Sequence, residues 1–429
     1  MGISTAANAF NTEVLPATAA QLVFSSPLED GAFTAGADDE PWIQASRDEL
    51  RANHCVGIPT ETVYGLAANA LDAAAVKSIY TVKGRPSDNP LIVHVSSIRM
   101  LRALYHLPPY SEASGRALPF LGTDNAALEG EPLHAALQAA DGAGEAWPEI
   151  PHAYHEVIRR FWPGALTLIM PRPPCIPMQV LGGHGETVAV RFPSHPVARA
   201  VISACGLPLA APSANASGRP SPTLAAHVKH DLDGCLPLII DAGPCVVGVE
   251  STVLDAYSPN AYVAGVLAPC ILRPGGVTFE SLRDIGGAYA QLRVYRRDFT
   301  SAEMEANPTT PGMKYRHYSP TAPVYLFVPS DNADAADRQR EKMQKHLAQQ
   351  PGKVGVVTVG NLSLAPNSSH VVYAADDAKD LAHRIFALLR TLDEDENVDA
   401  IFVQGVAETD EGLAVMNRLG KAASHHIAC

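Results

Sequence analysis

The stretch VKGRPSDNPLIVHV sets two cations, Lys83 and Arg85, on either side of a glycine, after a helical pattern and before an apolar run. Two readings fit this spacing. The cations can cap the helix C-terminus, where positive charge meets the negative end of the helix dipole. Alternatively they form an anion clamp, in which arginine grips a phosphate through two parallel hydrogen bonds. His94, inside the apolar run, has the setting of an ordinary core histidine. A second constellation is PLAAPSANASGRPSPT, where an apolar run ends in Ser213, Asn215, Ser217 and Gly218, followed by Arg219. Such a loop offers hydroxyls, an amide and backbone N–H groups to an anion near a helix start. An ordinary Ser/Asn turn has the same composition.

Three more pieces belong with these. Arg191 falls in the period-2 run TVAVRF, so it projects from one sheet face among small apolar neighbours, where an arginine needs a counter-anion. A substrate carboxylate is one candidate. Glu250-Ser251-Thr252 interrupts another apolar run, and ILRPGG places Arg273 directly before a Pro-Gly turn. Together the residues suit a small polyanion. No G-x-x-x-x-G-K-[ST] loop, G-x-G-x-x-G fingerprint, G-x-S-x-G elbow or H-E-x-x-H pair is present.

The elements that must position these groups are legible as alternating strand and helix patterns from Gln21 to about Arg297. Ser46-Arg47-Asp48-Glu49 reads as a capping box opening a helix. DAAAVKSIYTVKG reads as a helix begun by Asp72 and stopped near Gly84. HCVGIP, PLIVHV, TVAVRF, PLAAP, LPLIIDAG, VESTVLDA and CILRPGG read as strands ended by Gly or Pro. Ser194 and Ser221 precede helical patterns with proline near the first turn. Residues 1–20 lack periodicity and read as a mobile tail. Residues 108–150, rich in Pro, Gly, Ala and Glu, read as a surface insertion. From about Ala322 to Cys429 a smaller unit follows. Its strands PVYLFV, KVGVVTV, HVVYAA and AIFVQGV, with helices after the first, third and fourth, predict a largely parallel sheet.

Between the units, in residues 298–321, lies NPTTPGMKYRHYSPT, whose prolines break helix and sheet alike. A passive linker would not carry Lys314, Tyr315, Arg316, His317 and Tyr318 in a row.

Composition narrows the classes. The chain has 429 residues, 47% hydrophobic and 18% charged, enough for two packed units. Its net charge of −13 opposes bulk binding to nucleic acid, while leaving room for a local basic cavity. No run approaches the roughly 18 apolar residues of a membrane helix. The N-terminus shows neither a secretory nor an Arg-rich transit pattern. Seven scattered cysteines without a C-x-x-C pair read as reduced thiols of a cytoplasmic protein.

Taken in order, PTETVYGL, KGRP, NPLIVHV, WPGALTLIM, VAVRFPSHP, APSANASG, ESTVLD and ILRPGG resemble the YrdC/Sua5 family. PGMKYRHYSP and GLAVMNRLGKAAS resemble its longer Sua5 form, and the likeness covers roughly residues 40–107 and 152–425. The resemblance implies a YrdC-like α/β fold, a twisted mixed sheet around a deep cavity, plus a smaller Rossmann-like α/β domain. It places the catalytic domain at 21–297, a linker or lid at 298–321 and the Sua5 C-terminal domain at 322–429. It implies an L-threonylcarbamoyladenylate synthase that condenses L-threonine, bicarbonate and ATP and releases pyrophosphate. The product would pass to a tRNA threonylcarbamoyl transferase complex for t6A modification, with room for a weak tRNA contact and none for a membrane.

Carried over by motif, Thr62, His94, Arg191, Ala211 and Ser251 would surround threonine, with Arg191 on its carboxylate and Thr62 or Ser251 on its hydroxyl. Arg85, Asn89, Thr187, Ser213, Asn215, Ser221, Arg273 and Tyr315 would hold ATP, and Lys83 with Arg85 would be the catalytic pair. Mg²⁺ would bridge the phosphates, with no dedicated carboxylate cluster to ligate it. The hinge would close over the cavity, bring Tyr315 to the nucleotide and exclude water. Two rivals remain: an RNA-binding module using the same basic cavity, and a carbamoyl-transfer enzyme like those of hydrogenase maturation. The latter's acylphosphatase-like and zinc-binding segments are absent from this sequence. The segments 108–150 and 252–272 are longer than the family's usual connections.

Overall fold

A computed structural model of the chain describes residues 9–18, 40–111, 147–301, 305–306, 308–310, 317–330, 334–360 and 369–429. The larger unit holds β1 (Glu13–Pro16), β2 (Val56–Ile58), β3 (Gly65–Asn69), β4 (Ile92–His94), β5 (Leu166–Pro171), β6 (Thr187–Arg191) and β7 (Leu209–Ala210). It continues with β8 (Leu238–Asp241), β9 (Thr252–Asp255), β10 (Tyr262–Val263), β11 (Val266–Leu267), β12 (Cys270–Arg273) and β13 (Arg293–Val294). Eleven of these join in the order β1-β8-β2-β3-β7-β4-β6-β5-β9-β12-β13, and β10 and β11 pair as a separate hairpin. The sheet is mixed: β4 and β6 run parallel, β5 and β6 antiparallel.

Helix Ala73–Lys83 forms where the sequence places it. The Asp72 carboxylate accepts from the N–H groups of Ala74 and Ala75 at 2.7 and 2.9 Å, filling two of the donors a helix start leaves open. Gly84 ends it at φ 60°, a left-handed conformation that favours glycine. Val76 and Ile79 turn inward, against a core that includes Leu66, Val93, Val190 and Leu168. That packing fixes where Lys83 and Arg85 emerge.

The smaller unit contains β14 (Val324–Val328), β15 (Val354–Val359), β16 (His370–Ala375), β17 (Ala400–Gln404) and β18 (His425–Ala428) in the order β16-β15-β17-β14-β18. All its pairings are parallel, as the strand-helix pattern predicts. Its core around Leu326, Ile385, Phe386 and Val403 also takes in Val63 and Val249 of the larger unit, so the two units pack on each other.

Four expectations change. Glu13–Pro16, expected in a mobile tail, is an edge strand parallel to β8, fastened further by the Thr12 hydroxyl donating to Leu236 O at 2.7 Å. Ser46 does not open a helix. The helix runs Pro41–Arg51 with proline in its first turn, and the Ser46 hydroxyl donates back to Trp42 O at 2.6 Å. His195 rather than Ser194 precedes helix Pro196–Cys205, and Leu224 rather than Ser221 precedes Ala225–Leu232. The fifth C-terminal strand, β18, is missing from the expectation because HHIA carries no apolar alternation. Within the expected insertion, Glu149 pairs with Arg102 at 2.7 Å and Ile150 enters the core, while residues 112–146 lie outside the described residues.

Candidate active site

The ends of β4, β6 and β12, the loop after β7 and the segment before β9 meet at one cavity. His94 and Arg191 are register partners on parallel strands, so their side chains stand next to each other. Arg273 lies beside Ser251: its Nη2 donates to Ser251 O at 2.9 Å and to Ser251 Oγ at 3.2 Å. The long connection between them is accounted for by the β10–β11 hairpin, which leaves this contact intact.

The cavity is lined by Lys83, Arg85, His94, Arg191, Ala211, Ser213, Asn215, Ser251 and Arg273 among the predicted site residues. His317 and Tyr318, the described end of the hinge, line it too. Tyr315 lies outside the described residues. Thr62, Asn89, Thr187 and Ser221 are not on the lining. Thr62 is buried beneath it, its hydroxyl 2.9 Å from that of Thr60. Asn89 sits in the turn that holds Arg85, its carbonyl accepting from Arg85 Nε at 3.3 Å. Thr187 is at the opposite end of β6 from Arg191, roughly 13 Å away at the rise of an extended strand. Ser221 stands behind the wall and donates to Glu250 Oε1 at 2.6 Å.

Lys83 does not cap its own helix. Its ammonium crosses to the β7 loop and donates to Ser213 O at 2.5 Å and to Asn215 O. Asn215 Oδ1 in turn accepts from the Ser213 hydroxyl at 2.5 Å, and Asn215 Nδ2 donates to Ala216 O and Arg219 O at 2.8 and 3.0 Å. The K-x-R and S-x-N pairs are thus one construction, in which lysine is the bolt. Arg85 is aimed by its own turn, donating to Pro90 O at 3.0 Å. Among the described residues, the hydrogen bonds of Lys83 and Arg85 all go to neutral oxygens, so neither spends a donor on a carboxylate.

Arg191 has a counter-ion the sequence reading did not name. Its Nη2 donates to Glu61 Oε1 at 2.6 Å, and the other Glu61 oxygen accepts from His195 N at 3.3 Å. Burial raises the Glu61 pKa, but Arg191 outweighs it and the net displacement is downward. The signal was present in PTETVYGL, the segment that turns beside β6, but nothing in the spacing pairs position 61 with 191. Burial, with Arg191 alongside, holds His94 down at about 3. The imidazole is therefore neutral near pH 7, and its Nδ1 lies 3.1 Å from Ile92 O. Glu250 is pushed up by burial, yet Arg418 and Arg273 hold it at about 2.

The free volume is about 60 Å³, room for roughly two waters. The described residues do not establish the depth of the cavity expected from the sequence. Its polar walls satisfy one another: Arg191 on Glu61, Lys83 on the β7 loop, Arg273 on Ser251, Glu250 on Ser221 and Arg418. No described helix is long and apolar enough to cross a membrane.

Comparison with known proteins locates this arrangement. The Sua5/YciO/YrdC family profile, described as "Telomere recombination", matches residues 48–119 and 128–275. A profile for the threonylcarbamoyl-AMP synthase C-terminal domain matches residues 277–424. The threonylcarbamoyl-AMP synthase of Schizosaccharomyces pombe is 43% identical over 379 residues, 86% of this chain and 85% of that one. That of Bacillus subtilis is 39% identical over 400 residues, 91% of this chain and 95% of that one. The crystal structure of Pyrococcus abyssi Sua5 complexed with L-threonine superposes with a TM-score of 0.70 at 33% identity, covering 97% of this chain and 99% of that chain. By profile, by identity along most of its length and by fold, the chain belongs to the Sua5/YrdC family of threonylcarbamoyl-AMP synthases.

Proposed function

We propose that this chain is an L-threonylcarbamoyladenylate synthase, condensing L-threonine, bicarbonate and ATP to threonylcarbamoyl-AMP and pyrophosphate. The observation that carries the reading is convergence. Nine residues assigned to threonine, nucleotide or catalysis by separate sequence motifs, scattered between positions 83 and 273, line one small cavity.

The chemistry asks little of any protein nucleophile. The amine of threonine attacks bicarbonate carbon, water leaves, and a carbamate forms. A carbamate oxygen then attacks the α-phosphorus of ATP, and the bond to the β-phosphate oxygen breaks. Arg191 takes the threonine carboxylate, Ser251 faces the hydroxyl with Thr62 buried outside the lining, and neutral His94 stands beside Arg191. Ala211 keeps room beside them. Arg85, Ser213, Asn215 and Arg273 face the nucleotide, and Lys83 fixes the loop that carries two of them. This is catalysis by positioning and by charge stabilisation on phosphate oxygens. Asn89 and Ser221 support that end from outside the lining, while Thr187 and Tyr315 are assigned to the nucleotide by motif alone.

The carboxylates at and behind the lining, Glu250 and Glu61, do not suit a protein-held cation, since Glu250 is committed to Arg418 and Glu61 to Arg191. Mg²⁺ accordingly enters as part of the ATP complex. His317 and Tyr318 at the cavity support the hinge as a lid that excludes water from a mixed anhydride. The product goes to a tRNA threonylcarbamoyl transferase complex in the cytoplasm, a compartment that fits seven cysteines without a disulfide.

The test is pyrophosphate release from MgATP with threonine and bicarbonate omitted in turn. Release that needs both is the expected result. Release that needs neither, or salt-sensitive tRNA binding without any release, overturns the assignment.

A further inference from the structure

Two arginines of the C-terminal unit, Arg390 and Arg418, are each 1% exposed and reach across to the larger unit. Arg418, on helix Glu411–Ala422, donates from Nε to Glu250 Oε2 at 2.8 Å and from Nη1 to Pro274 O. Its Nη2 has no acceptor among the described residues. The guanidinium carbon lies 5.8 Å from the ring centre of Tyr318, at the end of the hinge. Glu250 and Tyr318 both line the cavity, and the Glu250 oxygen not used by Arg418 accepts from Ser221.

One side chain therefore ties two loops that meet only in space. The first carries Glu250 and Ser251, the second Arg273 and Pro274. The loops are already in close contact, with Gly276 N donating to Glu250 O at 3.1 Å and no room for a Cβ at Gly275, where one would lie 2.2 Å from Glu250 O. Arg390 acts in parallel on the other wall. It donates to Pro220 O at 2.6 Å and to Asp231 at 2.6 Å, and Asp231 accepts from Ala216 N at 3.2 Å, inside the S-x-N loop.

An ion pair that only glued two units together would do as well on the rim. A buried pair gives little net stability over apolar packing of the same volume, so its place against the cavity points to geometry. We propose, resting on the synthase reading, that Arg418 is a positioning residue of the active site supplied by the C-terminal unit. It holds the Arg273–Pro274 loop against Glu250 at the spacing with which Arg273 grips the nucleotide. Arg390 does the same for the loop carrying Ser213 and Asn215. Docking of the C-terminal unit is then a condition for the nucleotide end of the site, while the threonine end, built on β4, β6 and a Ser251 whose hydroxyl lies 2.7 Å from that of Thr167 in the same unit, stands without it.

The experiment uses the full chain, native, Arg418→Met and Arg418→Lys. ATP affinity is read by calorimetry without threonine, and threonine-dependent pyrophosphate release gives kcat and both KM values. Arg418→Met should weaken ATP at least tenfold and leave the threonine KM within threefold. Arg418→Lys, which can hold Glu250 but not Pro274 O as well, should fall between. ATP affinity within twofold of native in a folded Arg418→Met chain overturns the proposal. So does a loss shared equally by kcat and both KM values, the mark of merely less folded protein. Should Arg418→Met not fold, native-like ATP affinity in Arg418→Lys with a normal kcat overturns it as well. A native chain that binds ATP but shows no threonine-dependent release would instead sink the synthase reading, and the calorimetric comparison would still judge Arg418.

Discussion

Replacing Lys83 with methionine distinguishes a phosphate-touching lysine from one that bolts a loop. The buried ammonium donates to the carbonyls of Ser213 and Asn215, and methionine would leave both without that partner. A hydrogen bond to a charged group is worth about 1.5–3 kcal/mol, and an unsatisfied buried carbonyl costs about 1–3 kcal/mol. Part is offset, because burial, with Arg85 nearby, already holds the Lys83 pKa well below its ordinary value. Even a neutral amine keeps two N–H donors for the two carbonyls. A net loss of about 3 kcal/mol is the expectation, which at about 2–4 °C per kcal/mol for a unit of this size lowers Tm by about 6–12 °C. Calorimetry of the full chain gives Tm, and pyrophosphate release gives the ATP KM, which should rise as the S-x-N loop loses its anchor. An unchanged Tm with turnover abolished would refute the bolt and make Lys83 a direct phosphate ligand. A lowered Tm with normal ATP kinetics would refute the link between loop and nucleotide.

Glu61→Gln leaves Arg191 buried without its carboxylate and should cost about 3–5 kcal/mol in a denaturant titration; an unchanged midpoint would show that Arg191 has another anion. His94 titrates at about 3 folded against an ordinary 6.5, so the unfolded chain binds the extra proton. Stability linked to His94 is therefore complete above pH 6.5 and is lost as pH falls from there toward 3. Native and His94→Gln chains should diverge in urea midpoint over that window, and parallel curves would contradict a neutral buried imidazole. Asp72→Ala should cost about 1 kcal/mol through the lost helix cap, with kinetic constants unchanged. A changed ATP KM there would mean that the start of the helix, as well as its end, controls Lys83 and Arg85.

Local signals carried far in this chain. Asp72 and Gly84 mark the ends of a helix through short-range chemistry, a carboxylate filling open N–H groups and a glycine at positive φ. The C-terminal strands followed from apolar runs and their spacing, because a parallel sheet buries whole segments. Where competing signals sat close together, the weaker one misled. Ser46 had the pattern of a cap, but Pro41 five residues earlier already starts the helix. Glu13–Pro16 has no pattern that marks it as a strand, since its order comes from β8, more than two hundred residues away.

The site divides along the same line. The types of residue in the cavity, and the motifs Lys83/Arg85 and Ser213/Asn215, were fixed by the sequence, because each motif is a single tight turn whose conformation is local. The partners of those residues were decided by the tertiary structure alone. Lys83 reaches Ser213 across 130 positions, Arg191 reaches Glu61 across 130, and Arg418 reaches Glu250 across 168. Each is a charge removed from water, and burial obliges it to find a partner without specifying one along the chain. Only the packing of the sheet and the docking of the C-terminal unit bring the donor and acceptor within three ångströms or so.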